Sequence, residues 1–303
     1  MLERIKAEGL VKTFDQVRAL DGAALHVPQG AVYGLVGPNG AGKSTIIRCL
    51  TGAYRPDSGQ VLLDEVPVYE NPSAKQRICC IPDDPYYLPQ ASTRDMAKVY
   101  AGLYPGFDWD RYGRLAEAFS QVSDKTGLRK LSRGMQKQAA FWVALCCHPE
   151  VLLLDEPVDG LDPVMRRQVW SLLLEDVAQN GLTVLVSSHN LRELEDVCDH
   201  VGVMHKGRIL LEKSLQDLQG SVTKLQIVWP DGVEPALPEG LELLHRGRMG
   251  RVHTLILRGG PEAVLARFAD TNPVFSEALP LSLEEVFIYE MGGEDYGVQE
   301  ILL

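Results

Sequence analysis

The stretch GPNGAGKST, Gly37 to Thr45, carries glycines, one lysine and a serine at the spacing of a phosphate-cradling loop. Gly37, Gly40 and Gly42, with Pro38, Asn39 and Ala41 between them, let backbone N–H groups wrap an anion. Lys43 adds a point charge suited to β- and γ-phosphates, and Ser44 places a hydroxyl where Mg²⁺ would sit, with Thr45 next to it. A glycine-rich turn can match such a pattern by chance. The flanks argue against chance, because AVYGLVG reads as a buried strand and KSTIIRCLTG as the helix that follows it.

A second set of residues suits the same chemistry. The apolar run in VLLLDEP ends in Asp155, a candidate Mg²⁺ ligand, often through water, and then Glu156, which can accept a proton from an attacking water. Two carboxylates so close repel each other unless a cation lies nearby, so the pair expects a metal. VLVSSHN puts His189 at the end of a further apolar run, where it reads as a sensor of the γ-phosphate and the water. Taken alone, such a histidine is an ordinary surface residue. Ligands of open α/β sheets bind outside the carboxyl ends of the strands, and the loop, both acids and His189 all fall there. LSRGMQKQ, Leu131 to Gln138, has no evident acid or base. A Ser–Gly turn opening a helix does offer free N–H groups and the positive end of a helix dipole, which together bind anions.

The elements that must position these residues are legible in the hydrophobic pattern. EVLLLDEP and LTVLVSS are near-continuous apolar runs, as parallel strands covered on both faces should be. Asp162 is a good N-cap, with Pro163 at the first position of the helix VMRRQVWSLLLEDVAQ. HVGVMHKGRILLE predicts a hairpin turning at Lys206–Gly207. From Met96 to Cys147 the pattern is mainly helical, which predicts a helical subdomain at about 84–148 inserted into an α/β core. After about residue 220 a second unit begins. TKLQIVW and RVHTLILRG read as strands, PEAVLARFAD as a helix, and PLSLEEVFIYEM as a closing helix with a Ser282–Glu285 capping box. The expected organisation is an α/β domain at 1–220 and a small α+β accessory domain at 221–303.

The 303 residues are 45% hydrophobic and 23% charged, ordinary for a globular protein. A net charge of -11 argues against nucleic acid as a partner, since phosphate backbones are gripped by clustered Lys and Arg. The six cysteines include the adjacent pairs Cys79–Cys80 and Cys146–Cys147, which lack metal-ligand spacing and read as inert thiols of a reducing cytosol. No signal peptide opens the sequence and no apolar run has the length of a membrane helix.

The ordered set GPNGAGKST, LSRGMQKQ, LLLDEP, GLDP and SSH resembles the nucleotide-binding subunit of an ABC transporter, over roughly residues 1 to 215. The resemblance implies a P-loop NTPase core of the ABC type, with ATP and Mg²⁺ as cofactors. It also implies that the signature segment Ser132, Arg133, Gly134 and Met135 acts in trans, with Ser132 and Gly134 gripping the γ-phosphate of a nucleotide on a partner copy. Phe14 falls where the family places an aromatic against adenine, although core filling would also suit it. Asp162 in GLDP matches a loop that crosses the dimer interface, and Asp83 stands where the family usually has a metal-contacting glutamine. Arg133 and Met135 depart from the commonest signature, which has Gly and Gln there. The C-terminal unit resembles the extra domain of exporter and antibiotic-resistance ATPases. It has no catalytic cluster, and structural or dimer support and ligand sensing both stay open as its role.

The resulting expectation is an ATPase subunit, peripheral on the cytoplasmic face of the membrane. It would dimerise with itself or a sister chain and drive separate permease subunits, with export as the expected direction. The alternative is a soluble ABC-type ATPase such as an iron–sulfur assembly component. Ribosome-binding relatives carry two such cassettes and DNA-repair relatives a long coiled coil, and neither feature is present in the sequence. No Asn-Lys-x-Asp guanine-reading segment occurs either, which disfavours a GTPase.

Overall fold

The chain opens with strands β1 (Glu3–Phe14), β2 (Val17–Pro28) and β3 (Val32–Val36), helix α1 (Lys43–Leu50), strands β4 (Ser58–Leu63) and β5 (Val66–Pro67), helix α2 (Pro72–Lys75) and strand β6 (Ile78–Ile81). A helical segment follows: α3 (Thr93–Leu103), α4 (Trp109–Ala118) and α5 (Arg133–Leu145). The pattern then alternates through β7 (Val151–Asp155), α6 (Pro163–Asn180), β8 (Thr183–Ser188), α7 (Arg192–Glu195), β9 (His200–His205) and β10 (Arg208–Ser214). The remaining elements are α8 (Leu215–Ser221), β11 (Val222–Val228), β12 (Leu243–Met249), β13 (Val252–Arg258), α9 (Pro261–Ala269), β14 (Phe275–Leu279) and α10 (Leu283–Met291). This computed structural model describes residues 2–230, 237–269 and 271–291. Asp270, which closes the expected helix PEAVLARFAD, and 292–303, the end of the expected C-terminal domain, lie outside the described residues.

Contacts divide the chain into two units, Met1–His189 with His200–Glu212 and Asn190–Asp199 with Lys213–Leu303. In the first, a six-stranded sheet runs β10-β9-β3-β8-β7-β6, and β9, β3, β8, β7 and β6 are parallel neighbours. Every residue of β3, β7 and β8 is buried, which is why these strands read as unbroken apolar runs. The β9–β10 hairpin turns at Lys206 and Gly207, both with positive φ, as a two-residue turn of the twisted type needs. A second sheet, β2-β1-β4-β5, is antiparallel. Its apolar face joins α1 and β3 in one core that includes Leu10, Leu25, Tyr33, Ile46 and Leu63.

This helical segment lies between β6 and β7. It has its own aromatic centre, with Tyr112 and Trp142 stacked at 4.7 Å and the Trp142 indole N–H donating to the Tyr112 carbonyl at 2.9 Å. Arg111 ties it to the sheet domain by a two-pronged pair with Asp176 of α6, both bonds 2.7 Å long. Five of the six cysteines are buried and all are free thiols. Burial pushes the Cys49 thiol up to about 11 and the Cys146 thiol up to about 12, so both stay protonated and unreactive near neutral pH.

The second unit holds a four-stranded antiparallel sheet in the order β12-β13-β11-β14. Leu225, Ile227, Trp229, Leu255, Leu257, Val264 and Phe268 form its core. The capping box at α10 is formed, with the Glu285 N–H donating to Ser282 Oγ at 3.2 Å and the Ser282 N–H to Glu285 Oε2 at 3.1 Å. Among the described residues, no helix is long and apolar enough to cross a membrane.

Candidate functional site

The parallel register brings the candidate residues to one edge. Val36 lies beside Ser188, Asp155 beside Ser187, and Ile81, just before Pro82–Asp83, beside Leu154. The carboxyl ends of β3, β8, β7 and β6 therefore open on the same space. Gly42 starts α1 with φ 112°, and a Cβ there would lie 2.6 Å from the Ala19 carbonyl oxygen, so glycine is required. A cavity of about 540 Å³ lies at this edge. Asn39, Gly40, Gly42, Lys43, Ser44 and Thr45 line one side, and Val17–Ala19, Lys206–Gly207, Asp83 and Glu156 line the rest.

Lys43 is 6% exposed and reaches back along its own loop. Its Nζ donates to the Gly37 carbonyl at 2.6 Å and the Pro38 carbonyl at 3.3 Å, and lies 3.3 Å from Glu156 Oε1. Ala41 is buried and its N–H donates to the Pro38 carbonyl, which closes the turn. Phosphate oxygens would take over the ammonium from neutral carbonyls, since a charge-assisted bond is the stronger one. Lys43→Ala is accordingly expected to weaken nucleotide binding about ten- to hundredfold, as losing a hydrogen bond to a charged group does. Titration with a fluorescent ATP analogue measures this, and unchanged affinity would remove Lys43 from the phosphate site.

The acids differ in their surroundings. Asp155 is buried and accepts a 2.6 Å bond from Ser187 Oγ, which orients its carboxylate. Glu156 Oε2 faces His189 Nδ1 at 3.0 Å, while Oε1 faces Lys43. Glu156 sits at φ 45°, a left-handed backbone that costs a non-glycine residue about 1–3 kcal/mol. Its N–H donates to the Ser187 carbonyl at 3.2 Å and Ser187 Oγ at 3.1 Å, and its carbonyl accepts from Lys137 Nζ. Lys43, Glu156 and His189 thus come together as one linked group.

The signature residues lie elsewhere. Ser132 caps α5, its Oγ accepting from the Met135 N–H at 3.3 Å, and both Ser132 and Arg133 are exposed. Gly134 approaches the GLDP loop so closely that a Cβ would meet the Gly160 carbonyl oxygen at 2.5 Å. Asp162 caps α6 and accepts from the Val164 and Met165 N–H groups, each at 3.0 Å. Ser132 to Met135, Asp162 and Phe14 do not line the P-loop cavity of their own chain. Phe14 is 39% exposed, with its ring edge-on to Tyr54 at 5.4 Å, so it does not fill the core.

The oxygen donors Ser44 and Asp155 are the type Mg²⁺ takes. Asp83 also lines the cavity, but its Oδ1 accepts from Lys137 Nζ at 3.2 Å. Ligand atoms of Glu156, Asp159 and His189 lie within 4.8 Å of one another. The Glu156–His189 hydrogen bond and the presence of an imidazole suit that group to proton handling better than to Mg²⁺. Ser187 and Lys137 are the site residues that sequence reasoning missed. The polar Ser187–Ser188 pair ending an apolar strand was the available signal for the first, and a lysine on the buried face of α5 for the second.

The family model described as "ABC transporter" matches residues 20–159. The ABC transporter ATP-binding protein YtrB of Bacillus subtilis is 29% identical over 291 residues, covering 96% of this chain and 99% of that one. The daunorubicin/doxorubicin resistance ATP-binding protein DrrA of Streptomyces peucetius is 34% identical over 223 residues, covering 72% and 67%. A solved ATP-binding subunit of an ABC transporter shares the fold, with a TM-score of 0.65 at 24% identity over 71% of this chain and 91% of that one.

Proposed function

This chain belongs to the ATP-binding proteins of ABC transporters, and from that membership we propose an export motor that works as a symmetric dimer with ATP clamped between facing subunits. As a member it binds and hydrolyses ATP and drives a separate membrane-spanning permease. In the proposed dimer, the Gly37–Thr45 loop and Lys43 of one subunit hold the phosphates, and Ser132 and Gly134 of the other close over the γ-phosphate. The observation that carries this is the position of Ser132, exposed at the start of α5 and outside its own chain's P-loop cavity. Each motif is present in the one chain, which favours two identical copies. Resistance-type relatives such as DrrA favour export.

Glu156 would take the proton of the attacking water, with His189 holding the carboxylate in place through the 3.0 Å bond. Phe14 would stack on the base, and Asp162 would order the loop at the dimer interface. Ser44 and Asp155 would hold Mg²⁺, which when bound neutralises phosphate charge. The part from about residue 221 onward would be an accessory domain that supports the dimer.

The permease would dock on the helical subdomain and so keep the protein at the cytoplasmic face of the membrane. A groove of about 360 Å³ there is lined by Pro85, Tyr86, Leu88, Met96, Val99 and Tyr100 among others, and Tyr86 is 77% exposed. Such a groove suits the apolar side of a short helix. Tagged protein drawn from detergent-solubilised membranes is expected to bring an integral membrane protein with it, and Tyr86→Asp to lose that partner while still binding ATP. Recovery of the ATPase alone, with no stimulation by any membrane fraction, would contradict the docking.

A further inference from the structure

We propose that Lys137 is a positioning residue, joining the permease-facing loop to the backbone of Glu156; this rests on Glu156 being the base. Lys137 is 5% exposed, on the second turn of α5 behind the signature residues. Its ammonium donates in two directions, to the Glu156 carbonyl and to Asp83 Oδ1 at 3.2 Å. Asp83 stands at the other extreme, with 59% of its side chain exposed, between Pro82 and Pro85, which both line the docking groove.

The arrangement has a physical consequence. Glu156 holds a left-handed backbone that persists only where neighbours over-determine it. Ser187 fixes its N–H and Lys137 its carbonyl. A buried ammonium needs its counter-charge, since an uncompensated one is strongly destabilising. Movement of the Asp83 loop therefore changes how firmly Lys137 holds the Glu156 carbonyl, and with it the aim of the Glu156 carboxylate. Asp83 acts here as the partner of a cation, and the oxygen facing Lys137 is not offered to Mg²⁺. The same rigid helix carries Ser132 at its exposed end, so one element reaches both this chain's base and the nucleotide of the facing copy.

The test is steady-state ATP hydrolysis by the purified full chain. Lys137→Gln is expected to lower kcat about tenfold, the size of a coupled contact, with KM and the affinity for a fluorescent ATP analogue unchanged. Asp83→Asn should fall in the same direction without raising the Mg²⁺ concentration needed for half-maximal rate. The double variant should be no slower than Lys137→Gln alone, because the second change removes a link already cut. Unchanged kcat in Lys137→Gln, additive losses, or a raised Mg²⁺ requirement in Asp83→Asn would each overturn the proposal. Should Lys137→Gln fail to fold, Asp83→Asn decides: a lower kcat with unchanged binding supports the link, and a normal kcat ends it. Glu156→Gln run alongside separates the two assignments. If it turns over normally, the base assignment fails and the inference with it. If it is inactive while Lys137→Gln is unimpaired, the inference alone fails.

Discussion

Glu156→Gln is expected to bind ATP as well as the parent chain and to hydrolyse it roughly 10²–10⁴-fold more slowly, the range set by losing a general base. The amide keeps the size of the side chain and an oxygen toward His189 or Lys43, whose distances from Glu156 are 3.0 and 3.3 Å. It cannot take a proton from water. The phosphate-facing loop and Lys43 are untouched, so binding survives while chemistry stops. A coupled-enzyme assay reads the rate and a fluorescent analogue reads the affinity. Turnover near the parent rate would show that the base lies elsewhere.

Ser132→Asp should remove turnover on a comparable or larger scale, about 10³–10⁵-fold, as when a group supplied in trans to a transferring phosphoryl is lost. The substitution is chosen because it spares the fold. Aspartate caps a helix about as well as serine, so the 3.3 Å bond from the Met135 N–H has a replacement acceptor. Ser132 is exposed. What changes is the charge presented outward: a carboxylate would face the γ-phosphate where a hydroxyl had donated to it. Unimpaired hydrolysis by a folded Ser132→Asp protein would exclude the signature loop from the site.

Much of this was legible in the sequence, and the reasons are local. A strand covered on both faces must be apolar throughout, so VLLLD and TVLVSS announced themselves. Helices with a cap and a proline, such as that after Asp162, carry their start in three residues. Strands β12 and β14 did not show, because LLHRGRM and FSEAL are exposed along most of their length and carry no clean alternation. The antiparallel pairing of β1 with β2 was hidden for a related reason: repeated irregularities in register break the period-2 pattern. At the site, motif residues fixed by spacing along the chain were readable, as for Lys43 and Glu156. Contacts made across the fold were not. Ser187 reaches Asp155 over a gap of 32 residues, and Lys137 reaches Asp83 over 54. Nothing in the spacing of those residues indicates that they meet.

The central idea is that the triphosphate is shared between two copies of the chain. Its most direct test is the solution mass, by light scattering on a size-exclusion column, of Glu156→Gln with and without Ser132→Asp, each loaded with Mg-ATP. The account predicts a dimer for Glu156→Gln that disappears when ATP is withdrawn, and a monomer still carrying ATP for the double variant. A dimer that forms equally well with aspartate at position 132 would contradict it.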